Sequence, residues 1–387
     1  MSGEMGGSMA REAGQSASRP LEAITPVEIF DHLKKGVLGQ DGALRYVSVA
    51  VYKHVTGKVP GNILLIGSSG TGKTTIMNNI QRLYQEVPEY LPFRAMTIIN
   101  ANLLVDADRL EFRPDRLMAA VEQRARALLG GRATAEELRQ AMERATICID
   151  EVDKMSSVVA GKPNPLGVVL QQGLLTLMEG EHVAYRTHAV TDDGEEKPVT
   201  LDLDTGHMMF ICGGAFEELY DQVYLRVTKP GSGERLKSHA IQTADGQVRI
   251  EERFSLADFL KIEDLFEYGM VPQFIARFDN IVLLNDLTVD VLKAILLKSY
   301  DSPFIRSRRY FDVMGIDLEI EDLAAALIAE AAEKHSRTGA RALRTIFGKI
   351  VNRLEFDPEG SNRLEEGEDG RKRLRITADM VRRVTAA

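Results

Sequence analysis

No stretch of this chain approaches the roughly 18 consecutive apolar residues that a membrane-spanning helix needs. The first residues, Met1 to Pro20, are rich in Gly and Ser and lack an apolar centre, so no secretory signal is expected there. There is no C-x-x-C and no H-E-x-x-H, which removes the common zinc arrangements. Only two cysteines occur, Cys148 and Cys212. Both sit inside apolar, strand-like runs, the setting of small buried hydrophobes rather than of a disulfide or a metal pair. Positive charge is not in excess either: the formal net charge is -9. That argues against a general nucleic-acid binder. A cytoplasmic location is expected, with no membrane partner.

What is present is ordinary globular composition, 44% hydrophobic and 27% charged over 387 residues, enough for two or three domains. Five short buried-type strands punctuate the chain: 63–66, 96–100, 146–149, 208–212 and 281–284. Helical patterns lie between them, at 25–35, 41–55, 73–85, 115–145 with a break at Gly130-Gly131, and 166–179. Thr25-Pro26-Val27-Glu28 has the form of a capping box. Residues 182–206 alternate around Asp192-Asp193-Gly194 and read as a hairpin. Residues 229–250 are polar and weakly patterned, which suggests an exposed insertion, and helices follow around 256–267 and 271–277. Beyond about 285 the chain becomes mainly helical, with strands expected near 316–320 and 373–376, a helix over 339–354 and a charged loop over 357–371. Buried strands alternating with helices predict an α/β fold: a parallel sheet between helices, followed by a smaller, mainly helical α+β domain. The expected division is a disordered tail at 1–20, a large domain at 21–284 and a small domain at 285–387.

The apolar run Ile63 to Ile66 leads into Gly67-Ser68-Ser69-Gly70-Thr71-Gly72-Lys73-Thr74-Thr75, which fits G-x-x-x-x-G-K-[ST]. The glycines let successive N–H groups turn toward phosphate oxygens, and the helix that follows adds the positive end of its dipole. Lys73 is placed to reach the β- and γ-phosphates, and Thr74 to offer a hydroxyl to Mg²⁺. The strand at 146–149 ends in Asp150-Glu151. Asp150 is the expected Mg²⁺ partner and Glu151 the residue that orients and polarises the attacking water. An adjacent Asp-Glu pair points to hydrolysis of ATP rather than transfer to another acceptor. Arg277 and Arg341 read, on pattern alone, as solvated arginines. They gain importance only if the chain forms a ring in which an arginine reaches a neighbour's nucleotide.

These residues carry a resemblance to the ClpX/HslU group of AAA+ ATPases, over about Thr25 to Val384. Besides the nucleotide motifs it rests on Val37-Leu38-Gly39-Gln40, Ile149-Asp150-Glu151-Val152-Asp153-Lys154, Phe210-Ile211-Cys212-Gly213-Gly214-Ala215-Phe216, Val271-Pro272-Gln273-Phe274-Ile275-Ala276-Arg277 and Gly339-Ala340-Arg341-Ala342-Leu343-Arg344. The resemblance implies that Val37 and Leu38 line an adenine pocket. It implies that Arg277 is a finger given to the next subunit and that Arg341 contacts nucleotide from the small domain. It also implies a homo-hexameric ring that threads protein substrates.

The sequence departs from that group in three places. The N-terminal tail has no cysteine, so the group's four-cysteine zinc domain is not expected. The apolar loop that docks ClpX on the ClpP peptidase is matched by Pro230-Gly231-Ser232-Gly233-Glu234-Arg235-Leu236-Lys237, where a charged pair stands in place of an apolar plug; ClpP docking is not expected. The aromatic pore loop is matched by Asp106–Asp115, in which Phe112 either substitutes for the gripping tyrosine or does not grip. Tyr185-Arg186-Thr187-His188 matches a basic pore-entrance loop. Three functions follow as expectations: a ClpP-independent unfoldase or remodelling ATPase, a regulatory subunit of a different peptidase, or a nucleotide-dependent assembly switch.

Overall fold

The computed structural model describes residues 20–159, 161–242, 248–334, 339–361, 363–366 and 370–385. The tail expected at 1–20 therefore lies, all but its last residue, outside the described residues. Five strands form the frame: β1 (Ile63–Ile66), β2 (Met96–Asn100), β3 (Thr146–Asp150), β4 (Met209–Gly214) and β5 (Asn280–Leu283). Their spatial order is β5-β1-β4-β3-β2, and every neighbouring pair is parallel. Parallel strands need crossovers, and here these put helices on both faces, which is why the strands are apolar throughout rather than alternating.

The period of two sorts the strand residues between two cores. Leu64, Ile66, Ile147, Ile149, Phe210 and Cys212 face one layer of helices. Ile63, Leu65, Cys148, Met209, Ile211 and Val282 face the other. The second layer contains the helices Pro26–Lys34, Asp41–Val55 and Lys73–Glu86, the first of them closed by the expected Thr25/Glu28 capping box. The first layer includes Pro114–Leu129, Ala135–Glu143, Pro165–Met178 and Glu217–Thr228. Cys148 and Cys212 thus belong to cores on opposite faces of the sheet. Both are free and fully buried, and burial pushes both thiols up. They behave as the small hydrophobes their setting predicts.

Burial also sets a pH response. His54 is 3% exposed, its Nε2 lies 3.1 Å from the Arg144 carbonyl, and its ring meets Phe93 edge-on. Burial pushes its pKa down from 6.5 to about 4, against the pull of that carbonyl, with His207 adding a smaller downward push. The folded value lies below the unfolded one, so the unfolded chain binds the proton first as pH falls. The associated stabilisation is complete above about 6.5 and is lost on the way down to about 4. At most about 1.4 kcal/mol per pH unit is at stake. Denaturant midpoints at about pH 7 and about pH 5 should differ by more in the wild type than in His54→Gln; equal differences would remove His54 from the effect.

A third core is drawn from Leu287 to Val381. The helices Val289–Lys298, Pro303–Val313, Asp322–Glu333, Ala340–Phe356 and Ala378–Thr385 enclose it with a three-stranded sheet. In that sheet Ile316–Ile320 pairs parallel with Lys372–Ile376, which pairs antiparallel with Leu364–Glu366. The last strand corrects the expectation of a plain charged loop at 357–371: its exposed glutamates face Lys372 and Arg373 across the ladder, so charge pairs with charge instead of marking a loop. The segment 229–250, expected as an exposed insertion, contains strands. Lys237–Gln242 pairs antiparallel with Val248–Arg253. Asp245-Gly246, between them in the sequence, was the available turn signal; it lies outside the described residues. The helix expected at 256–267 is two, Leu256–Phe259 and Ile262–Tyr268, broken where Leu260 turns extended.

Candidate nucleotide site

The glycine-rich loop leaves the carboxyl end of β1, and β3 delivers its acidic pair at the carboxyl end of the neighbouring part of the sheet. That edge is where ligands bind in open α/β sheets. Gly72 has φ +113, a conformation that lets the helix start at Lys73 without a side-chain clash. Lys73 is 8% exposed. Its ammonium donates to the carbonyl of Gly67 and, at 3.0 Å, to that of Ser68. Burial lowers its pKa, while Asp150, Asp153 and Glu217 pull it back up and Arg341 opposes them. Thr71 closes the loop by donating from its hydroxyl to the Ser68 carbonyl at 2.9 Å.

Thr74 Oγ1 donates to Asp150 Oδ2 at 2.8 Å. A hydroxyl and a carboxylate at this spacing are hard oxygen donors of the kind Mg²⁺ takes, with water and phosphate oxygens filling the remaining positions. The donor set fits that ion. Glu151 adopts φ +61, one of three non-glycine residues with positive φ among the described residues. Its Oε2 accepts a hydrogen bond from Asn100 Nδ2 at 2.6 Å. Asn100 is the last residue of β2 and lies opposite Asp150 in the ladder. Sequence reading missed Asn100. A polar residue ending a buried strand was its signal, the same signal that exposed Asp150. Asp153, also missed as a site residue, is 6% exposed and accepts from the Ala215 N–H at 3.1 Å, tying β4's exit to this corner.

A cavity of about 650 Å³ joins these parts; Ser69, Gly70, Gly72, Lys73, Thr74 and Thr75 line one side and Asp150 and Glu151 another. The helix Ala340–Phe356 supplies the far wall through Arg341 and Arg344. That helix is docked by backbone: the Ala340 N–H donates to the Gly70 carbonyl at 3.1 Å. Gly339 has φ +47, and a Cβ there would stand 2.9 Å from the Gly70 carbonyl. Only glycine allows this approach. Gln40, buried, braces the loop from behind. Its amide donates to the Thr71 carbonyl at 3.0 Å and the Asn285 carbonyl at 2.9 Å, and its oxygen accepts from the Asn285 N–H. It therefore couples the phosphate loop to the segment that leads into the third core.

Three expected site residues stand elsewhere. Val37 is buried in the core behind the sheet and Leu38 is half-buried; neither lines this cavity. Arg277 lies just before β5, whose first residue, Asn280, is level with Ile63 at the start of β1. It is thus at the opposite end of the sheet from the phosphate loop of the same chain. Arg277 is not simply solvated: its guanidinium pairs with Glu179 and its carbonyl accepts from Asn62 Nδ2 at 3.1 Å.

The segments matched to substrate handling are held by packing and by charge pairs. Phe112 packs on the helix Pro165–Met178: a Cβ on Gly173 would fall 2.1 Å from its ring. An aromatic held there is part of the packing and is not presented by the short hairpin Val105–Asp106/Glu111–Phe112. The hairpin's turn is shaped by Asp106, which accepts from the Asp108 and Arg109 N–H groups, and Leu110 is 51% exposed. Tyr185-Arg186-Thr187-His188 lies in the middle of the strand His182–Val190, one arm of the hairpin expected at 182–206. Tyr185 and Thr187 donate inward to Glu122, while Arg186 and His188 point to the exposed side. Glu234 is drawn into a charge network: it accepts from Arg226 at 2.8 Å and Lys261 at 2.6 Å, and Arg226 also pairs with buried Asp264.

The family pattern described as AAA domain (Cdc48 subfamily) matches residues 58–281. Among curated proteins, the chain is 28% identical over 373 residues to the ATP-dependent Clp protease ATP-binding subunit ClpX of Bacteroides thetaiotaomicron, covering 92% of this chain and 82% of that one. The protein of the same name from Treponema denticola is 29% identical over 376 residues, 92% of this chain and 81% of the other. That from Azotobacter vinelandii is 29% identical over 379 residues, 91% and 80% of the two chains. No helix among the described residues is long and apolar enough to cross a membrane.

Proposed function

The chain belongs to the AAA ATPase family, and from that premise we propose that it is a ClpX-like remodelling ATPase: a homo-hexameric ring that hydrolyses ATP with Mg²⁺ to unfold or dissociate a protein target without ClpP. The observation that carries the reading is the meeting of Lys73, Thr74, Asp150 and Asn100-held Glu151 in one cavity whose far wall bears Arg341. The loop N–H groups and Lys73 bind the triphosphate, Lys73 exchanging its carbonyl partners for phosphate oxygens. Thr74 and Asp150 would hold Mg²⁺, which when bound would supply charge neutralisation for the triphosphate. Glu151 accepts the proton of the attacking water, and Asn100 fixes the direction in which that carboxylate points. Arg341 steadies the phosphates from the small domain, so that opening or closing the cavity follows nucleotide state.

Arg277 completes the site of a neighbouring copy. The length of β1 and β5, about 13 Å for four residues at 3.3 Å each, separates it from its own phosphate loop, so a role in hydrolysis requires another subunit. Such head-to-tail use of one surface gives a ring where the rotation between copies closes. Independence from ClpP is supported by Glu234. Its carboxylate is engaged by Arg226 and Lys261 within the chain, at the place where an apolar plug would have to protrude. A different peptidase partner finds no comparable feature to favour it.

The test uses the full chain, ATP and a panel of stably folded candidate targets with intrinsic fluorescence, in the absence of any peptidase. ATP, and not ADP, should drive loss of native signal from at least one target. Normal ATP hydrolysis with every candidate left folded and assembled would sink the remodelling reading and leave a nucleotide-dependent switch.

A further inference from the structure

On the small domain, away from the nucleotide cavity, a groove of about 740 Å³ runs between the second half of the helix Ala340–Phe356 and the helix Ala378–Thr385. Ile350 and Leu354, four residues apart, form its floor with Met380 and Val384, also four apart. Its rim carries Lys349, Arg353, Arg363 and Arg383. Among the described residues one carboxylate, Asp357, lines it, and that side chain is taken by the Gly360 N–H at 2.8 Å.

The rim gathers four cations on one groove. Some exposed cations of the domain are paired, Arg371 with Asp312 at 2.9 Å, Lys372 with Glu359 at 2.7 Å, Arg375 with Glu319 at 3.0 Å and Arg382 with Asp379 at 3.2 Å, while others such as Arg306, Arg308 and Arg344 have no ion pair among the described residues. Lys349, Arg353, Arg363 and Arg383 are all exposed, and none has a side-chain hydrogen bond or ion pair among the described residues. Arg353 and Arg383 stand in the last turns of their helices, where the dipole favours a cation. That accounts for neither Lys349, two turns inside its helix, nor Arg363, which is on no helix. Four unpaired cations converge on one groove of a chain whose net charge is -9.

We propose that this groove docks an acidic, amphipathic peptide segment of a partner protein. Carboxylates of the segment pair with the rim, and apolar side chains at helical spacing meet Ile350, Leu354, Met380 and Val384. The floor decides the class of occupant. Among the described residues no aromatic side chain lines the groove to stack a base, and a phosphodiester backbone would leave the apolar strip uncovered. The inference does not rest on the ATPase reading, since the groove lies on the C-terminal half of its helix while the nucleotide cavity uses residues 340–345 of the other end.

The test is fluorescence anisotropy on the full chain with a labelled 16-residue peptide of Leu and Glu in helical spacing, an isomer with Gln for every Glu, and a single-stranded oligonucleotide of equal charge. The Glu peptide should bind in a saturable, salt-sensitive manner. Arg353→Glu/Arg363→Glu should weaken it by at least about tenfold, with ATP turnover and the melting temperature unchanged; Arg363→Glu alone should shift binding in the same direction if the double variant melts early. The proposal is overturned if the Glu peptide does not bind, if the Gln peptide binds equally, if the charge-reversed chain retains the affinity, if the oligonucleotide binds more tightly, or if the groove is found closed by self-association that the same substitutions dissolve.

Discussion

Changing Glu151 to Gln should leave ATP bound and lower its turnover by about 10² to 10⁴. The substitution is isosteric, and the amide oxygen of Gln can still accept from Asn100 Nδ2, so the φ +61 turn and the neighbouring Thr74–Asp150 contact have no reason to move. What is lost is the capacity to take a proton from water. Binding and chemistry therefore separate: affinity for a fluorescent ATP analogue should match the wild type while phosphate release falls at saturating ATP. Unchanged turnover would remove Glu151 from the chemistry. The same variant, held in the ATP-bound state, is the form in which to capture a protein target by crosslinking.

Arg277→Ala should cost as much or more, about 10³-fold or greater if the residue supplies charge to a transferring phosphoryl group. Its expected effect on folding is small. The Arg277–Glu179 pair is 43% and 31% exposed, and such pairs contribute about 0–1 kcal/mol. A large fall in turnover with an unchanged melting temperature would thus be a catalytic effect. Since Arg277 and the phosphate loop lie at opposite ends of the same sheet, that fall cannot arise within one copy. If turnover survives the substitution at all protein concentrations, Arg277 is a surface residue that holds Glu179 and nothing more.

The frame and the phosphate loop were legible because local chemistry dictates both. Ile63–Ile66 and Met209–Cys212 are too apolar to be anything but buried on both faces, and the glycines around Lys73 occur where the backbone must turn inward. The acidic pair after β3 was legible for the same reason. What escaped depends on contacts between distant residues. Asn100 matters because β2 is in register with β3, a fact of sheet order. Phe112 looks like a displayed aromatic until Gly173, on another helix, is found to leave room for its ring. Glu234 looks like a free surface charge until Arg226 and Lys261 converge on it. Gln40 was part of a quoted block, yet its bracing of Thr71 and Asn285 spans 245 positions. The adenine contacts of Val37 and Leu38 came from the family resemblance alone; in this chain Val37 is buried and Leu38 half-buried.

The central claim is that each hydrolytic site is completed by the next copy of the chain, and subunit mixing tests it most directly. Glu151→Gln and Arg277→Ala proteins, each inactive alone, are combined in equal amounts and allowed to exchange, and phosphate release is measured. Half of the sites then retain Glu151, and half of those face a neighbour that retains Arg277, so about a quarter of wild-type turnover should return for a head-to-tail assembly. Turnover in the mixture no greater than the mean of the two separate variants would contradict the claim.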